Sequence, residues 1–315
     1  MELVSCGVEL EEDRMLHGEK ILIAGPTSQV AFPLARELAK DNEVHGLARF
    51  RRQADRERLD SVGVKCIQAD LAEDSLATLP DDFTVVLNFA VVKSGKFDYD
   101  MAANVEGVGR LMSRCRAART FLHCSSGSVY QYAGHRPLRE SDPLGDNHRV
   151  WFPTYSICKI AAESMVRFGA RQWNVPAAIA RMSVPYGNNG GWPLFHLAMM
   201  KEGQAIPVHT EKPSIFNPIH EDDYIAHVPK LLAIAAVPAV TLNWGGSENV
   251  SIEEWCQYMG ALTGLEARFH YTQETIGSLP LDLRMMHSHL GKTNVPWRDG
   301  IRRMVEAYDP ALIKG

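Results

Sequence analysis

The sequence has no apolar run of the ~18 residues that a membrane-crossing helix requires. Its opening, Met1-Glu2-Leu3-Val4-Ser5-Cys6, lacks the basic and apolar segments of a secretory leader. Paired cysteines are also missing. Cys6, Cys66, Cys115, Cys124, Cys158 and Cys256 are scattered without a CxxC, which excludes a disulfide framework and a zinc knuckle and suits a reducing cytoplasm. There is no surplus of basic charge. A net charge of −5 over 315 residues argues against a nucleic-acid groove built on bulk charge. Internal repeats and low-complexity stretches are absent too. What remains is an ordinary soluble composition, 45% hydrophobic and 23% charged. The length suits one large domain, or a main domain with a smaller lobe.

Residues 1–17 read as a tail, because their acidic stretch carries no continuing apolar period. From Lys20 the pattern changes. Short apolar runs at 21–24, 44–48, 65–69, 85–89, 120–124 and 177–180 read as strands. Helical stretches fall near 29–40, 101–118 and 155–173. Such alternation means βαβ units and a parallel sheet, and right-handed crossovers make it an α/β, doubly wound, Rossmann-type sheet. The dinucleotide-binding domain is expected over 18–187. After 187, Pro193, Pro207, Pro213 and Pro218 interrupt the alternation. A smaller mixed substrate lobe is expected over 188–315, with one strand near 240–244 returning to the sheet.

The strand at 21–24 runs into Gly25-Pro26-Thr27-Ser28-Gln29-Val30-Ala31. A helix N-terminus there presents free N–H groups to a phosphate, and small residues allow close approach. Ser28 and Ala31 occupy the second and third positions of a GxxGxxG spacing, so the stretch also reads as a plain βα turn. The next strand ends Ala48-Arg49-Phe50-Arg51-Arg52, with no acid to take a ribose 2′-hydroxyl. Arginines there favour a 2′-phosphate, hence NADP(H) over NAD(H), or else form a solvated basic loop. Asp70-Leu71 suits either the adenine edge or a helix N-cap.

Tyr155 and Lys159 stand four apart on an expected helix and share a face. An ammonium beside a phenol lowers the phenol's pKa from about 10, so the tyrosine can exchange a proton with a substrate oxygen. Upstream, the fifth strand enters Ser125-Ser126-Gly127-Ser128-Val129-Tyr130, at the sheet end where ligands bind. A serine there holds a substrate oxygen, or caps a turn.

Together these stretches resemble an extended short-chain dehydrogenase/reductase of the NAD-dependent epimerase/dehydratase family. The match includes Asn88-Phe89-Ala90, Asn104 to Gly107, Arg181 to Gly187, Ile219 to Asp223 and Asn243 to Gly246, in family order across about 230 residues. The resemblance implies Ser126 as the catalytic hydroxyl, Tyr155 as general acid/base, and Lys159 as the ribose-holding residue. It implies cofactor contacts from Gly25, Ser28, Gln29, Val30, Arg49, Asp70, Leu71 and Ala90, with Ser183 and Val184 beside the nicotinamide. Asn104 reads as structural. The family's habit implies a homodimer through the helices at 101–118 and 155–173.

Two departures narrow the expected chemistry. Family dehydratases carry an Asp-Glu pair after the catalytic hydroxyl, where this chain has Gly127 and Ser128. Members acting on nucleotide sugars often have an Arg where this chain has Phe216, and the lobe carries Trp192, Phe195, Met199 and Met200. Those apolar residues suit a less charged substrate or simply the lobe's core. Lys201, Lys212 or Arg284 remain candidates to grip a pyrophosphate. His287 and His289 read as surface residues, and no metal is expected. The expected activity is hydride transfer between NAD(P) and a carbonyl or secondary alcohol of a small-molecule substrate. The alternatives are an epimerase passing through a keto intermediate and a non-catalytic dinucleotide-sensing module.

Overall fold

The computed structural model describes residues 16–73 and 76–314, so the stretch expected as a tail lies outside it except for residues 16 and 17. The N-terminal part alternates strand and helix: β1 Lys20–Ala24, α1 Ala31–Leu38, β2 Glu43–Ala48, α2 Gln53–Asp60, β3 Lys65–Gln68 and β4 Val85–Asn88. α3 Phe97–Met101 and α4 Gly107–Arg114 follow, joined by a π-helical turn over Ala102–Glu106. Then come β5 Thr120–Ser126, α5 Tyr155–Trp173 and β6 Ala177–Met182. The sequence pattern missed α2, which is charged almost throughout and buries only Leu59.

A second series completes the chain: β7 Val184–Gly187, β8 Gly190–Gly191, α6 Trp192–Lys201, β9 Ile206–His209, β10 Ile215–Phe216, β11 Pro218–His220 and α7 Glu221–Ala233. β12 Val240–Trp244, β13 Val250–Ser251, α8 Ile252–Thr263, β14 Phe269–Thr272, α9 Arg284–His289 and α10 Trp297–Tyr308 end it.

Seven strands form one parallel sheet in the order β12-β6-β5-β4-β1-β2-β3. β12 is the returning strand, at the expected residues, and pairs with β6. Small sheets complete the C-terminal part: β11-β7-β8, β10-β13 and β14-β9. The sheet is covered on both faces. In β1, Ile21 and Ile23 enter one core cluster and Leu22 and Ala24 the other, all at 0% exposure. That two-sided burial is why the strand reads as a continuous apolar run rather than an alternating one.

The strand order reverses between β1 and β4, so the crevice beyond their C-terminal ends is the expected ligand position in such a sheet. α5 begins at Tyr155 and runs its whole expected length, ending at Asn174 in the left-handed region with φ 54°. β5 extends two residues further than the apolar run suggested. Ser125 and Ser126 therefore belong to the strand, and their side chains project to opposite faces.

Candidate active site

At the β1 end, Gly25 adopts φ +79°. A Cβ there would stand 2.7 Å from the Ala90 Cα, so only glycine lets the two strand ends come this close. Ser28 caps the following helix, its Oγ accepting from the Ala31 N–H at 3.1 Å. A cavity of about 180 Å³ opens beside this turn, lined among others by Gly25, Arg49, Asp70, Leu71 and Ala90. The cavity lies beyond the C-terminal ends of β1, β2, β3 and β4, where open α/β sheets take a dinucleotide's adenosine half.

Ser28, Gln29, Val30, Ser183 and Val184, also expected to contact cofactor, are not among the residues lining this cavity. The Gln29 amide donates to the Gly190 carbonyl at 3.2 Å, and Asn189 donates to the Gln29 carbonyl at 2.8 Å. Val30 accepts at its carbonyl from the Tyr224 hydroxyl at 3.0 Å. The turn is thereby tied to the C-terminal part of the chain. Arg49 donates to the Tyr99 hydroxyl at 2.8 Å, and that hydroxyl donates to Asp70 at 2.7 Å. The other Asp70 oxygen accepts from the Ala72 N–H at 3.0 Å. Asp70 thus lines the cavity and caps a turn at once. Ser183 accepts from the Asn217 N–H at 3.1 Å, and Val184 is buried.

Tyr155, Ser126 and Lys159 come together at the C-terminal ends of β5 and β6. The Ser126 hydroxyl stands near the phenol and accepts from the Ser128 N–H at 3.1 Å, capping the turn that follows β5. The buried Lys159 ammonium lies 5.9 Å from the Tyr155 ring centre and donates to the Cys124 carbonyl at 2.6 Å. The simple picture of a lysine lowering the phenol does not hold in this geometry. Burial pushes the Tyr155 phenol up to about 12, the nearby Ser126 hydroxyl opposing it only in part. Burial also lowers Lys159. Desolvation penalises both charged forms and is the largest cause for each.

Beneath the site lies a set of buried polar residues, of which the sequence reading named Ser125, Tyr130, Arg181 and Asn243 in its motifs and missed Glu163. Ser125 donates to Glu163 at 2.7 Å. Arg181 grips the same carboxylate through Nε at 2.9 Å and Nη2 at 2.7 Å. The Arg181 guanidinium lies 4.8 Å from the Tyr130 ring centre, and Tyr130 donates to Asn243. One signal for Glu163 was available: it continues the four-residue stripe of Tyr155 and Lys159 on α5.

Asn104, read from the sequence as structural, holds the Val92 segment and also lines the cavity of about 180 Å³. It accepts from the Val92 N–H at 2.7 Å and donates to the Val92 carbonyl at 2.8 Å. Asp100, unnoticed in the sequence, accepts from Ser94, from the Gly95 N–H, and from the Thr154 hydroxyl at 2.6 Å. These two clamps place Lys93 with its ammonium 4.2 Å from the Phe152 ring centre and 5.2 Å from that of Tyr155.

On the outer side, three consecutive residues present buried polar atoms without partners: Asp146 Oδ1, Asn147 Nδ2 and His148 Nδ1. The His148 ring lies 6.0 Å from that of Tyr155. Asp146 and Asn147 line a polar cavity of about 310 Å³ with Gln131, Tyr132, His209 and Thr275. The apolar residues named in the C-terminal lobe divide: Phe195 is exposed, and Trp192, Met199 and Met200 pack against the core. Trp192 packs edge-on to Phe216 and Trp255, with ring centres 5.1 and 5.9 Å apart, and Met200 is buried. Of the three candidates for a pyrophosphate, Lys201 pairs with Asp309, Lys212 lies over Tyr271, and Arg284 is held by Asp282. Cys158 is a buried packing residue. His287 shares a hydrogen bond with Ser247 at 3.0 Å, and the described residues contain no His, Cys, Asp and Glu group suited to a metal ion.

A family model described as "NAD dependent epimerase/dehydratase family" matches residues 21–225. Human dTDP-D-glucose 4,6-dehydratase is 23% identical over 271 residues, covering 78% of this chain and 75% of its own. The bovine protein of that name is also 23% identical. Among solved structures, a mutant UDP-glucuronic acid 4-epimerase from Bacillus cereus, in complex with NAD and a fluorinated substrate analogue, superposes with TM-score 0.79. It is 18% identical and covers 92% of this chain and 99% of its own. UDP-glucose 4-epimerase from Thermotoga maritima superposes with TM-score 0.78 at 16% identity, over 93% of this chain and 99% of its own. With the family model spanning most of the sheet and the site it carries, the chain belongs to the NAD-dependent epimerase/dehydratase family.

Proposed function

We propose that the protein moves a hydride between a nicotinamide dinucleotide and a carbinol or carbonyl carbon of a small-molecule substrate, with Tyr155 as general acid/base. The observation that carries this reading is the meeting of the Tyr155 phenol and Ser126 at the sheet end, with Lys159 one helical turn along, 5.9 Å from the Tyr155 ring centre. When bound, the dinucleotide supplies or accepts the hydride. Ser126 holds the substrate oxygen. Tyr155 gives that oxygen a proton in the reductive direction and takes it back in the oxidative one. Lys159, anchored on the Cys124 carbonyl, reaches toward the cofactor ribose. Gly25, Ser28 and Ala90 shape the crevice, and Ser183 and Val184 border the nicotinamide.

The absence of an acid at the β2 end, with Arg49 lining the cavity, supports NADP(H) over NAD(H). The polar lining of the cavity at Asp146 and Asn147, with Trp192 and Met200 turned into the lobe's core, supports a hydroxyl-bearing substrate. That cavity also favours a second reading, an epimerase that retains its nucleotide while the oxidised substrate turns over. Dehydratase chemistry is disfavoured. Gly127 and Ser128 stand where family dehydratases carry their Asp-Glu pair, and neither supplies a carboxyl group to act as acid or base. A homodimer is supported by α5, which leaves Ile157 and Phe168 exposed on one face. No helix among the described residues is long and apolar enough to cross a membrane, and a cytoplasmic setting remains part of the proposal.

Tyr155→Phe tests the central assignment. In a panel of carbonyl substrates followed by NADPH loss, turnover is expected to fall by two orders of magnitude or more, ~10²–10⁴-fold, with nucleotide binding nearly unchanged. Undiminished turnover would remove Tyr155 from the mechanism. Mass spectrometry of nucleotide released on denaturation separates the two readings: near-stoichiometric NAD favours the epimerase, and an empty protein or partial NADP favours an exchanging reductase.

A further inference from the structure

A groove of about 530 Å³ shares Arg49, Arg51, Val91 and Val92 with the adenosine cavity. Its remaining lining is Lys93, Ser94, Lys96 and Tyr99. Four cations surround it, and no carboxylate is among the lining residues. None of the four takes part in an ion pair among the described residues, although the chain is acidic overall. Like charges gathered around one groove repel each other unless an anion sits between them.

Both walls are built rather than loose. On one, Arg49 is aimed by the Tyr99 hydroxyl, with Asp70 behind it. Phe50 between the two arginines takes φ +44°, a conformation that non-glycine residues adopt rarely and mostly where surroundings enforce it. Its ring lies against the Arg56 guanidinium, 4.9 Å from the ring centre. On the other wall, Asn104 holds Val92, and Asp100 holds Ser94 and Gly95. Lys93 turns its ammonium toward Phe152 and Tyr155, which leaves Lys96 as the cation of that wall.

We propose that Lys96, facing Arg49 and Arg51 across this groove, is a specificity-determining residue that grips the 2′-phosphate of NADP. The clamp draws its two walls from segments almost fifty residues apart in sequence. Arginine offers a planar fork and lysine a point charge, so together they surround a tetrahedral dianion from two sides. This inference rests on the reading of the cofactor as NADP.

The test is calorimetric titration of the full chain with NADP and, separately, with NAD. Lys96→Gln and Arg51→Gln are each expected to weaken NADP binding by ~10-fold and to leave NAD affinity within about two-fold. Lys96→Arg is expected to keep most of the NADP affinity, because the charge is retained. If the unaltered protein prefers NADP and Lys96→Gln weakens both nucleotides alike, or neither, the clamp is overturned while the NADP reading stands. If the unaltered protein binds NAD more tightly, the NADP reading falls and the clamp with it.

Discussion

Ser125 and Ser126 are adjacent and chemically identical, yet they belong to two different regions of the molecule. Ser125 faces the floor, where Glu163, Arg181, Tyr130 and Asn243 satisfy one another and almost nothing is exposed. Ser126 faces the rim, where its hydroxyl accepts from the Ser128 N–H near Tyr155 and where Asp146, Asn147 and His148 have polar atoms left over. A satisfied buried network holds shape. An unsatisfied one beside a cavity is poised for something the chain does not itself contain. The difference teaches that hydrogen-bond completeness, rather than residue type, separates scaffold from site here.

The largest effect should come from breaking the floor. Glu163→Ala leaves the Arg181 guanidinium buried without its carboxylate, and a loss of ~3–5 kcal/mol is expected from the denaturant midpoint. Replacing both partners by methionine should restore more than half of that loss, since the uncompensated charge is then gone. A double variant as unstable as the single one would mean that the pair's geometry, not its charge balance, holds β5, β6 and α5 together.

A smaller effect is expected from acid. Burial holds His148, His220 and His227 down to about 4 and His196 to about 3, with His123 also lowered. Each is therefore neutral in the folded chain while the unfolded chain titrates at its ordinary value near 6.5. Their contribution is fully present above about pH 6.5 and is lost as pH falls toward about 4. Stability should drop by at least ~1 kcal/mol across that window. The drop should persist in His148→Ala, because most of the lowered histidines lie away from the rim. A flat profile would show that these side chains are not held neutral.

The smallest effect sharpens the contrast. His148 Nδ1 has no partner, so His148→Ala removes packing but no internal hydrogen bond at that atom, and should cost under ~1 kcal/mol. If His148→Ala destabilises as much as Glu163→Ala, the division between floor and rim fails.

Much of the fold was legible because burial writes itself into hydrophobic pattern. β1, β4, β5 and β6 are covered on both faces and read as apolar runs, and β12 was found at its own residues. Where burial is slight the pattern is silent, and α2, which buries only Leu59, was missed for that reason. At the site, Tyr155 and Lys159 were visible by their helical spacing, and Ser126 by its place at a strand end. Asp100, Lys93 and the turn at 146–148 were not. They act across segments distant in sequence, and a one-dimensional pattern carries no record of such meetings. The apolar residues around Trp192 were ambiguous for a related reason: composition reports that a residue is apolar, not which way it faces.

The sequence by itself determined the alternation of elements, the glycine at the first strand end and the Tyr–Lys register, because each depends on neighbours a few residues away. Only the tertiary structure decided that the Tyr155 phenol is pushed upward rather than downward. The sign depends on how much water burial removes, and burial is a property of the whole packed chain. The same holds for Ser125 and Ser126, whose separate fates follow from the pleat of one strand between two differently built faces.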